Sequence, residues 1–261
     1  MKFCITAVAA FFCFLTQVNA QLDVEDLISS LENSGRPQAD LERDPNRKAP
    51  EVLNFLGLEK GMKALDLVAI GGWYSEVLAI AVGQSGQVIM QNNPGRMVDN
   101  NIEQINERLS RRPNISHHIG PVSDLSSNSI DFALTALNFH DIYNRSAEEA
   151  HDRFTQVYDV LKPGGVFGVI DHHGTAGADN ASLHRIAFED AVKSITAMGF
   201  ALTGASDLLV NPSDDHTLGP FDPSLGRNTD RFILRFVKPV SYTHLRAHET
   251  DSYLVCRLLL E

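Results

Sequence analysis

The chain has 261 residues, 43% of them hydrophobic, with neither an internal repeat nor a low-complexity tract, which is ample for one large domain with a real core. Its formal net charge of −11 comes without any concentrated Lys/Arg face, and this excludes the phosphate-binding electrostatics of a nucleic-acid partner.

Residues 1–20 read MKFCITAVAAFFCFLTQVNA: one lysine, an apolar run from Phe3 to Leu15, and Val18 and Ala20 at the third and first positions before a cut. That order predicts a secretory signal peptide cleaved after Ala20, because the run is shorter than the about 20 residues a bilayer span needs. The mature chain is therefore expected to be periplasmic or secreted, with no stable membrane span. Residues 240–261 share no periodicity with what precedes them. From Ser241 onward, SYTHLRAHETDSYLVCRLLLE resembles translated sequencing-adapter read-through, so this tail is expected to be non-native. All three cysteines, Cys4, Cys13 and Cys256, fall in these two ends. The body between them can hold no disulfide framework, thiolate nucleophile or Cys-ligated zinc.

Residues 21–46 are polar and broken by Gly35, Pro37 and Pro45, which predicts a short helix over 23–31 and a loop leading into a domain at 47–239. Pro50 suits the first turn of a helix that ends near Gly57, since that N–H has no intrahelical partner. Short apolar runs at 64–68, 87–90, 115–118, 130–135 and 166–170 predict strands covered on both faces. Helical patterns at 73–82, 97–109 and 147–161 lie between them. The last third predicts a helix over 183–198, a strand over 200–210, a polar loop over 211–229 and a strand over 231–237. The fold class is α/β: a single doubly wound, mostly parallel sheet of about seven strands with an antiparallel C-terminal pair.

The most informative stretch is 61–84, where a strand carrying Asp66 crosses a Gly71-Gly72 turn into a helix opening with Trp73-Tyr74. Strand, glycine turn and helix in that order let the backbone approach a ligand at the carboxyl edge of a parallel sheet. Together with Leu161-Lys162-Pro163-Gly164-Gly165 before the fifth strand, this order resembles a class I S-adenosylmethionine-dependent methyltransferase. More narrowly, RDPNRKAPEVLNFLGLEKGMKALDL, GGWYSEVLA, DFALTALNFHD, LKPGGVFGVIDHH and NPSDDH through DRFILRFVKP resemble a bacterial family of exported predicted methyltransferases, over residues 37–239.

The resemblance implies that S-adenosylmethionine is the cofactor and says little about the acceptor, which for an exported protein is expected to be a small molecule or an envelope component. It places Asp66 at the methionine part of the cofactor and maps the glycine-rich turn to residues 68–72, with Val68, Gly71 and Gly72 lining it and Tyr74 closing over the ligand. Gln91 and Asn92 stand where an acid would normally accept the ribose hydroxyls, and Asn138 borders the site from the fourth strand. Where the family has glycine, this chain has Ile70. A β-branched side chain tolerates positive φ poorly, so the turn is expected either to take a φ that isoleucine accepts or to lose the cofactor.

The fourth strand is expected to close with Asn138-Phe139-His140-Asp141 and the fifth with Asp171-His172-His173, at one crevice; the later loop adds Asp214, Asp215 and His216. His140 is the leading candidate for a base or acceptor-positioning group, and His172 the second. His117, His118, His151 and His184 receive no role. Two other classes stay open. One is a non-catalytic binding protein on the same fold. The other is a divalent-metal hydrolase using His140, Asp171, His172 and His216, for which no HExxH-like spacing exists and no metal ligand is assigned.

Overall fold

The computed structural model describes residues 21–240; the expected signal peptide and residues 241–261 lie outside the described residues. Helices α1 (Val24–Glu32), α2 (Gln38–Leu41), α3 (Asp44–Arg47) and α4 (Ala49–Leu56) come first. Asp23 caps α1 by accepting from the Asp26 N–H at 3.1 Å, and Gly57, at φ 80°, ends α4 in the left-handed conformation. Strands and helices then alternate: β1 (Lys63–Leu67), α5 (Trp73–Val82), β2 (Gln87–Asn92), α6 (Arg96–Asp99), α7 (Ile102–Arg111), β3 (Ile115–Ile119) and β4 (Ile130–Ala136). The rest is α8 (Phe139–Arg145), α9 (Ala147–Val160), β5 (Leu161–Gly174), β6 (Ile186–Ala187), α10 (Phe188–Ala197), β7 (Ala201–Ser206) and β8 (Arg231–Val237).

The sheet runs β3-β2-β1-β4-β5-β8-β7, with β6 paired to the end of β5. The first five strands are parallel, and β8 is antiparallel to both β5 and β7. After β3 the chain returns to the other side of β1. The switch point is therefore between β1 and β4, where loops diverge at the carboxyl ends and leave a crevice. Each face of the sheet carries its own hydrophobic cluster: Phe132 and Leu134 of β4 point to the side of α1, α4 and α5, and Ala133 to that of α8, α9 and α10. Burying both faces is what makes the strands read as unbroken apolar runs. Among the described residues no helix is long and apolar enough to cross a membrane.

The fifth strand, expected over 166–170, runs from Leu161 to Gly174, and the elements differ from expectation in five further places. Segment 21–46 is built into the core through Leu27 and Leu31, and the Trp73 indole donates to the Asp40 carbonyl at 3.2 Å. The helix expected over 97–109 breaks between Asp99 and Ile102. The fourth strand stops at Ala136; Leu137 turns at φ 62°, and Phe139–Arg145 is helix. The helix expected from 183 starts at Phe188, because Ile186 and Ala187 pair with β5. Strand β7 ends at Ser206, before the turn closed by the Val210 N–H on the Asp207 carbonyl at 3.0 Å.

Candidate functional site

Past Leu67 the chain turns into α5 through Val68 at φ 50°, Ile70 at φ 53° and Gly72 at φ 77°. For β-branched residues this region is an outlier costing about 1–2 kcal/mol each. The turn is held there by β2. The Val68 N–H donates to Gln91 Oε1 at 3.1 Å, the Ala69 N–H to the Gln91 carbonyl at 2.9 Å and the Ile70 N–H to Asn92 Oδ1 at 2.7 Å. Asn92 Nδ2 returns a bond to the Ile70 carbonyl at 3.2 Å, and Asn138 Nδ2 donates to the Val68 carbonyl at 3.3 Å. Isoleucine is thus held, under strain, in the left-handed φ a glycine would take, an outcome outside both expectations: the turn neither takes a φ that suits isoleucine nor gives up the shape that lets backbone approach a ligand.

The site residues expected from sequence are sorted by these contacts. Gln91 and Asn92 reach the turn, but their amides are spent on it and, for Gln91 Nε2, on the Gly120 carbonyl at 2.8 Å. A Cβ at Gly71 would lie 2.1 Å from Gln104 Oε1, the mobile end of a long side chain, whereas Gly72 is required by its left-handed φ of 77°, with Met90 Cε 2.5 Å from where a Cβ would stand. Asp66 is buried on the α5 side of β1 and accepts from Ser75 Oγ at 2.6 Å. Burial outweighs the Ser75 bonds and the charges of Arg47 and Arg108, raising its pKa to about 7. Tyr74 packs edge-on to Trp73 at 4.8 Å.

Two arginines join Tyr74 there. The Arg47 guanidinium lies 4.3 Å from the Trp73 ring and 5.2 Å from the Tyr74 ring, with no hydrogen bond or ion pair among the described residues. Burial lowers its pKa. Arg231, 4% exposed, donates from Nη2 to the Asn46 carbonyl at 2.6 Å and Asn228 Oδ1 at 3.2 Å, and meets no carboxylate ion-pair partner among the described residues. Buried cations without anions are costly, and such a pair suits an incoming anion.

The second half of the site surrounds Asp171, fully buried at the end of β5. Its Oδ1 meets His140 Nδ1 at 2.6 Å and accepts from the His172 N–H at 2.8 Å, while Oδ2 accepts from the His140 N–H at 2.8 Å. His140 Nε2 is 3.2 Å from Asp141 Oδ1, which also lies 2.8 Å from His184 Nδ1. Burial alone would lower the His140 pKa; the charge of Asp171 and the bonds to Asp141 and Asp171 override it and raise it to about 10. His172 Nδ1 is 2.6 Å from Thr229 Oγ1, and burial, against the pull of Asp171, lowers its pKa to about 3. The two rings are 5.4 Å apart, so the structure does bring His140 and His172 together.

His216 belongs elsewhere. Its Nε2 meets Asp230 Oδ2 at 2.8 Å, the same oxygen that His173 Nδ1 approaches at 3.2 Å. His140, Asp171, His172 and His216 are therefore not one ligand set. Asp214 forms a fork with Arg185 Nη2, both contacts at 2.8 Å, and Asp215 only caps Thr217. Two cavities, of about 420 Å³ between α1 and the end of α5 and about 230 Å³ beside Tyr143 and Asn180, lie away from the turn.

No protein-family model and no curated sequence matches the chain. Solved structures do resemble it. An S-adenosylmethionine-dependent methyltransferase from Aquifex aeolicus aligns over 83% of this chain and 98% of its own at 18% identity, with a TM-score of 0.57. The [4+2]-cyclase SpnF aligns over 84% of this chain and 93% of its own at 20% identity, with a TM-score of 0.54. The chain has the class I methyltransferase fold. At these identities the likeness is one of fold, and the chemistry has to be argued from the residues.

On this fold, sequence reasoning missed Arg47, His184, Thr229, Asp230 and Arg231. Arg47 sits in the segment read as an approach to the domain, and Arg231 at the start of a strand read for its hydrophobic alternation. His184 is 44 positions from His140, and only the crossover that follows β5 joins them. No local spacing signals either contact.

Proposed function

We propose that the protein is exported and transfers a methyl group from S-adenosylmethionine to a small-molecule or envelope acceptor. One observation carries the reading: Val68 and Ile70 are held at φ 50° and 53° at the switch point of a class I methyltransferase fold. Such strain costs about 1–3 kcal/mol per residue and persists where a site requires the shape. Here Gln91, Asn92 and Asn138 are all committed to enforcing it, an outlay of polar side chains that a turn shaped for a ligand would call for.

The residues fit the charged end of the cofactor. Arg47 and Arg231 would take its carboxylate beside Tyr74, satisfying two cations that lack a carboxylate partner among the described residues. Asp66, closed off beneath the turn, braces α5 through Ser75. Gln91 and Asn92 shape the turn with their side chains. When bound, the sulfonium supplies a methyl carbon open to in-line displacement, which asks of the protein mainly alignment. His140, in the first turn of α8 just past β4, and His172, near the end of β5, are placed to orient the acceptor.

A non-catalytic reading is favoured by one fact, the bulk of Ile70 where backbone would otherwise approach the ligand. Calorimetric titration of the purified protein with S-adenosylhomocysteine separates the two. Saturable binding that weakens at least tenfold in Arg47→Ala is expected; no heat at high ligand concentration would defeat the methyltransferase reading.

A further inference from the structure

We propose that His140, Asp141 and His184 form a binding site for one divalent ion of the zinc class. The candidate ligand atoms, His140 Nε2, Asp141 Oδ1 and His184 Nδ1, all lie within 4.8 Å of one another. Asp141 Oδ1 is 3.2 Å from the first nitrogen and 2.8 Å from the second. Ligands at about 2.0–2.2 Å from a shared zinc stand roughly 3 Å apart, so an ion enters with only small movements. Two imidazole nitrogens and one carboxylate oxygen suit zinc and its first-row neighbours, and exclude the all-oxygen preference of calcium or magnesium.

What lifts this group above a chance cluster is the support behind it. Asp171, fully buried, meets His140 at Nδ1 and accepts from the His140 main chain, so the ring can neither rotate nor exchange its tautomer freely. Nε2 is left facing Asp141 and His184. A carboxylate behind a histidine, fixing the nitrogen that points outward, is how proteins hold ligating imidazoles. The His184 ring stands beside it, edge-on to His140 at 6.0 Å and to Phe221 at 5.7 Å. Asp141 and His184 are half-exposed, at 50% and 48%, so the remaining coordination position opens to solvent and to a water or substrate oxygen.

The other group of similar composition, His173, His216 and Asp230, lacks this backing. Both rings crowd one oxygen of Asp230, the other oxygen accepts the Asn211 N–H at 2.8 Å, and the second nitrogen of His216 reaches only Thr175 Oγ1 at 3.5 Å. The metal site stands on its own geometry and does not depend on the methyl-transfer reading.

The test uses protein purified without an affinity tag and stripped with a chelator. Titration with Co²⁺, followed by visible d–d absorption and then by Zn²⁺ competition, reports ligand type and stoichiometry. One ion per chain is expected. His184→Ala and Asp141→Asn, both at half-exposed positions, should each weaken binding at least tenfold. Asp171→Asn should weaken it about 10–100-fold with an unchanged far-ultraviolet circular dichroism spectrum. His216→Ala should leave it unaltered. Sub-stoichiometric binding overturns the proposal, as does parental affinity in both His184→Ala and Asp141→Asn. Loss of binding in His216→Ala with retention in His184→Ala would overturn it equally, by moving the ion to the other group.

Discussion

Replacing Ile70 by glycine isolates the cost of the turn that carries the functional reading. The left-handed conformation at φ 53° is worth about 1–2 kcal/mol of strain to a β-branched residue, and glycine removes it. Ile70 is half-buried though it belongs to neither hydrophobic cluster, so the lost apolar burial costs about 1.5 kcal/mol at about 25 cal/mol per Å². Glycine also adds freedom to the unfolded chain, worth about 0.4–1 kcal/mol. Burial and chain entropy together slightly outweigh the strain relieved, and Ile70→Gly should be about 1 kcal/mol less stable than the parent, a shift of roughly 2–4 °C. Val68→Gly should fare worse by about 1–2 kcal/mol, because Val68 packs against the cluster beneath α8 and α9. Urea unfolding at matched slope measures both. In the same variant, S-adenosylhomocysteine should bind more tightly, since backbone replaces a side chain where the ligand approaches. A loss above about 2 kcal/mol in Ile70→Gly would show that the side chain is packed and not strained. Unchanged ligand affinity would remove it as an obstruction.

Other outcomes can be checked alongside. Asp66 keeps a proton to about pH 7 when folded, against 3.8 ordinarily, so the folded state binds the extra proton and stability falls as pH rises between those values. Asp66→Asn should flatten that slope and be the more stable form above pH 7, by on the order of 2 kcal/mol; a parent profile without a slope there would refute the assignment. Glu76 is fully buried among Arg108, Arg111 at 2.9 Å and Arg112 at 3.4 Å, and Glu76→Gln should cost about 3 kcal/mol in chemical denaturation. Arg185 ties the 211–229 loop to the body through Asp214 and the Leu218 carbonyl at 2.9 Å. Arg185→Lys cannot reach Asp214 and the Leu218 and His173 carbonyls at once, as the guanidinium does, and should speed cleavage of that loop by a non-specific protease; an unchanged rate would mean the loop is anchored by other contacts.

The doubly wound sheet was readable because its strands are apolar on both faces and its helices are long enough to show a period. Trp73–Val82 and Arg231–Val237 were read to the residue, each bounded by a glycine or a polar break. Phe139–Arg145 was not: seven residues are too few to display periodicity, and the turn that starts it depends on a left-handed Leu137. The site divides in the same way. Position along a strand is written locally, so Asp66, Gln91, Asn92 and His172 could be placed at the carboxyl edge of the sheet, and His140, on the helix that follows β4, comes to the same edge. Which way a side chain spends its hydrogen bonds is not local. That Gln91 and Asn92 turn inward to hold residues 68–70 follows from how β1 and β2 pack. The meeting of His140 with His184, and of Arg47 with Tyr74, depends on segments whose sequence neighbours give no hint of each other.

The reversed strand has a practical consequence. Because β8 runs against β5, Lys238 exits beside Gly164 and Gly165, with bonds of 2.8 and 2.9 Å to their main chain, about 23 Å from the loops at the start of its seven residues. Gln21 is bridged to Glu59, just before β1 begins, so the described segment both enters and leaves on the edge remote from the crevice. A reporter, tether or immobilisation handle joined at either of these points would leave the ligand-facing rim unobstructed.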